Sequence, residues 1–170
     1  MRFIHCPQCG EKLIEQPIGD DGLVPFCESC RRPWFDMFPS CVLVLVADEL
    51  NEVALTHQPH LSTQYGVFTS GYIKPDETAE QAAAREVLEE LGVTLTSLEP
   101  VGSFWFAKHG QLMHRFIGRC EKQPLVCSEE VVDARWVPAD EMPDYMFPEA
   151  AGPGAYGIYR AFMKQLGYEV

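Results

Sequence analysis

The 170-residue chain contains no apolar run of about eighteen residues, so no segment reads as a membrane span. Its longest apolar stretch, Cys41 to Ala47, has the length and composition of a strand. The first residues lack the charged start and apolar centre of a secretory leader, and the expectation is a soluble cytoplasmic protein. Positive charge is also scarce: 13 Lys and Arg stand against 25 Asp and Glu, for a net charge of −12. That balance speaks against electrostatic capture of long nucleic acid. It leaves a small anionic substrate open, because a bound divalent cation reverses the local field. No repeat or low-complexity segment appears, which argues against a solenoid or a disordered tract. What is present is 46% hydrophobic residues, enough for a substantial core, in a chain of one-domain length with room for a small appendage.

Cysteine is not scarce, and its spacing is informative. Cys6-Pro7-Gln8-Cys9 and Cys27-Glu28-Ser29-Cys30 form two CxxC knuckles separated by seventeen residues. Four thiolates so spaced suit a closed tetrahedral Zn²⁺ site with a structural role. A disulfide framework would require an oxidising compartment. Thioredoxin-like redox chemistry would require one CxxC at a helix start rather than two pairs. Residues 1–38 are therefore expected to form a zinc ribbon, folded largely by its metal, with Phe3, Ile4, Leu13, Ile14, Val24 and Phe26 in two hairpins around the ion. The stretch Pro33 to Pro39 is expected to pack this ribbon against the larger C-terminal domain, and recognition of an RNA or protein partner is its alternative role. Cys41, Cys120 and Cys127 belong to no motif and read as small buried apolar residues.

The segment Gly71 to Val93 reads as loop, helix, loop. Thr78 can serve as N-cap with Gln81 three residues on, Ala79 to Leu91 are good helix formers, and Gly92 suits a left-handed C-terminal residue. Ala83, Val87, Leu88 and Leu91 are expected to form the apolar stripe. Glu86, Glu89 and Glu90 fall at i, i+3 and i+4, so one face carries three carboxylates. Like charges at that spacing weaken a helix unless cations offset them, and Mg²⁺ or Mn²⁺ is the hard ion that prefers such ligands. Arg85 precedes Glu89 by four residues and can also reach back to Glu77.

This segment matches the signature of the Nudix hydrolases at every specified position: Gly71, five residues, Glu77, seven residues, Arg85-Glu86-Val87, any residue, Glu89-Glu90, any residue, Gly92-Val93. The resemblance covers about residues 40–166 and implies an α/β/α sandwich with a mixed sheet over 39–170. It implies hydrolysis of the pyrophosphate in a nucleoside diphosphate-linked compound with Mg²⁺ or Mn²⁺. It further implies Glu86, Glu89 and Glu90 as metal ligands, with the Gly71 carbonyl as a further one. Arg85 and Glu77 would hold the loop and orient the cluster. The general base would be a box glutamate or one from a later loop, Glu129 or Glu130. A homodimer is also implied.

A four-cysteine ribbon before such a domain resembles the NADH pyrophosphatase branch. There Tyr72 matches an aromatic that stacks on the base, Glu130 a further metal-linked glutamate, and Gly154 and Gly157 small residues that let a nucleotide approach the backbone. The chain departs from that branch where Ser-Gln-Pro-Trp-Pro-Phe-Pro is replaced by Ser103-Phe104-Trp105-Phe106-Ala107-Lys108-His109. Phe104, Trp105 and Phe106 alternate on a strand, and most of them are expected in the core. Lys108, His109 and His114 are candidates to meet a phosphate. The expected substrate is a dinucleotide such as NAD(H) or an ADP-ribose-like ADP-sugar. The alternatives are a non-catalytic nucleotide-sensing or partner-docking module, and removal of NAD-type caps from RNA.

Beyond the helix, patterning predicts strands near 41–47, 52–57, 99–107, 111–120 and 134–138, with an extended segment at 66–72. A short helix is predicted near 140–145 and a terminal one over 158–166, with Tyr159, Phe162, Met163 and Leu166 on one face. Strands alternating with helices imply an α/β sandwich.

Overall fold

The computed structural model describes residues 2–129 and 131–169. The chain divides into two compact units, Met1–Phe38 and Pro39–Val170. In the first, β1 (Ile14–Pro17), β2 (Leu23–Cys27) and β3 (Arg32–Pro33) form an antiparallel sheet in that order. A further bridge joins His5 to Lys12. Val24 is buried, whereas Ile4 and Ile14 are exposed. So small a sheet has too little surface to cover every apolar side chain. The Phe3 ring meets Trp34 edge-on at 5.7 Å, and the Arg32 guanidinium lies 4.4 Å from the Trp34 ring centre.

The second unit is an α/β/α sandwich, the architecture the resemblance implies. Its elements are β4 (Ser40–Ala47), β5 (Glu52–His57), β6 (Thr69–Tyr72), α1 (Ala79–Leu91), β7 (Ser97–Phe106), β8 (Gln111–Arg119), β9 (Asp133–Pro138), α2 (Met142–Tyr145) and α3 (Pro153–Gln165). The mixed sheet runs β7-β8-β4-β5-β9, with β6 added to β4. Strand β4 is central, parallel to β8 and antiparallel to β5 and β6. Its unbroken apolar composition follows from burial on both faces. Val42, Val44 and Val46 pack with Ala83, Val87 and Leu91 of α1. Leu43, Leu45 and Ala47 pack with Ile158 and Phe162 of α3.

Helix α1 forms as its sequence predicts. The Thr78 side chain accepts from the Gln81 N–H, the Gln81 side chain accepts from the Thr78 N–H, and Gly92 closes the helix at φ 68°. One expected stripe residue fails: Leu88 is 54% exposed, and Glu90 is buried instead. The helix is turned about its axis so that its buried side is Ala82, Ala83, Val87, Glu90 and Leu91. Residue 88 lies beyond that arc.

Helix α3 begins at Pro153, five residues before the predicted start, because proline is tolerated in a first turn and packing outweighs the low propensity of Gly154 and Gly157. Of the two glycines read as a nucleotide approach, Gly154 borders an apolar cavity and Gly157 does not. A Cβ on Gly154 would lie 2.1 Å from the Phe104 ring, and one on Gly157 would lie 2.1 Å from Arg115 Nη1. Both make room for side chains of the sheet. Trp105 is 53% exposed and so falls outside the core expected for most of the Phe104–Phe106 run. It alternates with Phe104 and Phe106, which face α3.

Candidate active site

The loop Tyr72 to Thr78 is tied to α1 by one arginine. Arg85 Nε and Nη2 donate to the two oxygens of Glu77 at 2.7 and 2.9 Å, and Nη1 donates to Glu86 at 2.6 Å and Glu89 at 3.0 Å. Nη2 also donates to the Tyr72 carbonyl at 3.0 Å. A guanidinium has five N–H donors, so this one is fully used. Glu77 additionally accepts from the Lys74 N–H at 3.0 Å. The Arg85 hydrogen bonds, then that backbone N–H, hold the Glu77 carboxyl down to about 2. The same contacts, led by Glu77, push the Arg85 guanidinium further up.

The three box glutamates line one cavity of about 410 Å³, together with Gly71, Lys74 and Arg85. They are not equivalent. The Glu86 side chain is 13% exposed, Glu89 is 52% exposed and lies 3.9 Å from the Lys74 ammonium, and Glu90 is buried. Gly71 explains how Glu86 reaches the cavity. A Cβ there would lie 2.0 Å from the Glu86 carboxyl carbon, so the carboxylate occupies the space a side chain would fill. Three carboxylates around such a cradle are hard oxygen donors of the kind Mg²⁺ and Mn²⁺ take. Cys41, also on the wall, has its thiol pushed up by burial and then by Glu86.

Tyr72 stands at the mouth of this cavity, 58% exposed, its phenol oxygen accepting from Gln111 Nε2 at 2.9 Å. Next to the acidic cavity lies a second one of about 300 Å³, lined by Leu43, Phe68, Phe104, Phe106 and Phe147, with Lys108 and His109 on its wall. The two cavities share Ser70 and Met113. Strand register explains this: Cys41 pairs with both Tyr72 and Met113, and Leu43 pairs with Ser70, so these side chains share one face of the sheet. His114 pairs with Val42 on the opposite face and lines neither cavity. Glu130 lies outside the described residues, and Glu129 is exposed and lines neither cavity. Sequence reasoning missed Gln111, Ser70 and the walls at Leu43 and Phe68, because no local signal joins residues that meet only through strand order, and it missed Lys74 because no specified position of the motif falls there.

In the first unit the ligand atoms of Cys6, Cys9, Cys27 and Cys30 all lie within 4.8 Å of one another. Cys9 and Cys27 Sγ are 3.5 Å apart, and Cys6 and Cys30 Sγ are 3.9 Å apart. These separations exceed a disulfide bond and approach the roughly 3.8 Å that a tetrahedral site with Zn–S bonds of about 2.3 Å requires. The cluster is thus able to chelate a metal.

A family model described as the NUDIX domain matches residues 37–162. The NAD-capped RNA hydrolase NudC of Vibrio vulnificus is 31% identical over 144 residues, covering 84% of this chain and 53% of that protein. The NudC of Vibrio cholerae is 30% identical over 139 residues, covering 81% and 50%. The chain therefore spans about half the length of the curated relatives it matches. Among solved structures, a NUDIX hydrolase from Nitrosomonas europaea superposes with a TM-score of 0.72 at 19% identity, covering 98% of this chain and 94% of that one. The NUDIX domain of Shewanella oneidensis NrtR, complexed with ADP ribose, gives 0.62 at 16% identity, covering 82% and 94%. At these identities the structural likeness speaks for the fold.

Proposed function

The chain belongs to the NUDIX domain family, and from that premise we propose that it hydrolyses the pyrophosphate bond of a nucleoside diphosphate-linked compound and releases a mononucleotide. The substrate class is a dinucleotide such as NAD(H) or an ADP-sugar such as ADP-ribose. The observation that carries this reading is the junction of the two cavities at Ser70 and Met113. One side offers carboxylates and a lysine for a cation-bound diphosphate, and the other offers aromatic walls for a ring. The printed names of the relatives, an NAD-capped RNA hydrolase and a domain complexed with ADP ribose, fit the same class of ligand.

Glu86, Glu89 and Glu90, with the Gly71 carbonyl, would hold Mg²⁺ or Mn²⁺, which supplies neutralisation of the diphosphate charge and a lower pKa for attacking water. Arg85, with every donor engaged, fixes the Glu86 and Glu89 carboxylates rather than gripping substrate. Glu77 fixes Arg85 in turn. Lys74 presents an ammonium to a phosphate oxygen, and Tyr72, held by Gln111, offers a ring face at the entrance. The general base is a box glutamate or one from the later loop, of which the exposed Glu129 lines neither cavity. Zn²⁺ on Cys6, Cys9, Cys27 and Cys30 has a structural role, and the chain forms a homodimer.

The test is hydrolysis of NADH, ADP-ribose and other ADP-sugars with Mg²⁺ or Mn²⁺, wild type against Glu89→Gln. Loss of kcat in the variant is expected. Tight ADP-ribose binding with no turnover of any compound would replace this reading with a nucleotide-sensing module. The names of the curated relatives favour one second reading, removal of NAD caps from RNA. A capped oligonucleotide turned over faster than free NAD would support it.

A further inference from the structure

We propose that Arg115 is a positioning residue for substrate selection, holding the Phe104 ring and thereby setting the wall of the apolar cavity. This rests on the reading of that cavity as the place of the substrate's ring. Arg115 lies on β8, paired with Leu43 and Gly102, on the face covered by α3. Its guanidinium carbon is 5.6 Å from the centre of the Phe104 ring. Helix α3 is bare where the pair meets it, since a Cβ on Gly154 or Gly157 would clash with Phe104 or Arg115 respectively at 2.1 Å. The two glycines are one helical turn apart, so the helix carries a smooth strip into which ring and guanidinium both fit.

No salt bridge explains this arginine. Among the described residues no carboxylate pairs with it, and its buried Nε has no hydrogen-bond partner. An arginine held between sheet and helix without an ion pair costs desolvation, and the contact it does make is with a ring face. Arg115 itself lines neither cavity, so its effect passes through Phe104. That ring heads a row: Phe104 to Phe106 is 6.3 Å between centres, and Phe106 to His109 is 5.1 Å. All three line the apolar cavity, so a tilt of Phe104 changes the surface on which a planar group lies.

The experiment compares wild type with Arg115→Met, Arg115→Lys and Gly157→Ala, using NADH and ADP-ribose as ring-bearing substrates and inorganic pyrophosphate as a ring-free competitive inhibitor. Gly157→Ala displaces only the end of the Arg115 side chain, so it serves even if Arg115→Met does not fold. The expected result is a KM for the ring-bearing substrates raised roughly fivefold in Arg115→Met and Gly157→Ala, with the loss in KM rather than kcat. The pyrophosphate Ki stays at its wild-type value, and Arg115→Lys recovers most of the loss. An unchanged KM, or a Ki raised in the same proportion, overturns the proposal. Wild-type hydrolysis is established first, and its absence sinks the proposed function alone. Calorimetric ADP binding then carries the same comparison of variants.

Discussion

Replacing Gly71 by alanine tests how the acidic cavity is built. The added Cβ would start 2.0 Å from the Glu86 carboxyl carbon, where ordinary contacts begin at 3.4 Å. Glu86 must therefore retreat by about 1.4 Å, since both the β6 backbone and α1 are held by their own packing. That retreat breaks the 2.6 Å hydrogen bond from Arg85, a charge-assisted contact of roughly 1.5–3 kcal/mol. Gly71 has no positive φ, so alanine is unstrained there and returns about 0.5–1 kcal/mol through the unfolded chain. The net loss of stability is thus about 0.5–2.5 kcal/mol, whereas a carboxylate misplaced by about 1 Å costs on the order of 100-fold in rate. Measured kcat against Mg²⁺ concentration should fall by about that factor, with a raised requirement for the ion and a small shift in urea midpoint. Wild-type kcat and Mg²⁺ dependence in Gly71→Ala would refute the reasoning, because they would mean that the position of Glu86 does not matter.

Arg85→Lys should cost about 3 kcal/mol in urea unfolding, because an ammonium has three donors and cannot reproduce a five-bond fork. Glu77 has its carboxyl held down to about 2 from 4.5, so its contribution is fully present above pH 4.5 and fades as pH falls towards 2. Acid titration of stability in Glu77→Gln should lack that segment. Mg²⁺ or Mn²⁺ should raise the melting temperature in calorimetry by binding the folded state, and Glu86→Gln should shrink the rise. Metal analysis of the purified protein should find about one equivalent of zinc, lost in Cys9→Ser, since three thiolates leave a structural site open.

Helix α1 was legible residue by residue because its signals are local: a capping box at Thr78, a glycine at 92 and a run of good formers between. The same holds for β4, whose apolar run is short enough for a strand. Which side chains α1 buries was not legible. Leu88 fits the apolar period as well as Leu91 does, and only the placement of the sheet decides that Glu90 turns inward and Leu88 outward. The start of α3 was hidden for the opposite reason, since Gly154 and Gly157 argue against a helix locally while Phe104 and Arg115 require them. The acidic half of the site was readable because most of it lies within about twenty residues of chain. The apolar half draws on Leu43, Phe68, Phe104 and Phe147, brought together by strand order alone.

The two halves reach the same cleft by different routes. Alternation puts Cys41 and Leu43 of β4, Ser70 and Tyr72 of β6, Gln111 and Met113 of β8, and Phe104 and Phe106 of β7 on one face. Helix α1 packs against the other face, on Val42, Val44 and Val46. Its carboxylates can join that cleft only by passing the edge of the sheet, and β6 is that edge, paired with β4 alone among the named strands. Gly71 and Thr69 are the β6 residues directed to the α1 face, and Gly71 is the one beside Glu86. Any Cβ there would fill the passage that the Glu86 carboxylate now occupies. The glycine therefore serves the cavity by lacking a side chain, and a short edge strand is what leaves the passage uncovered.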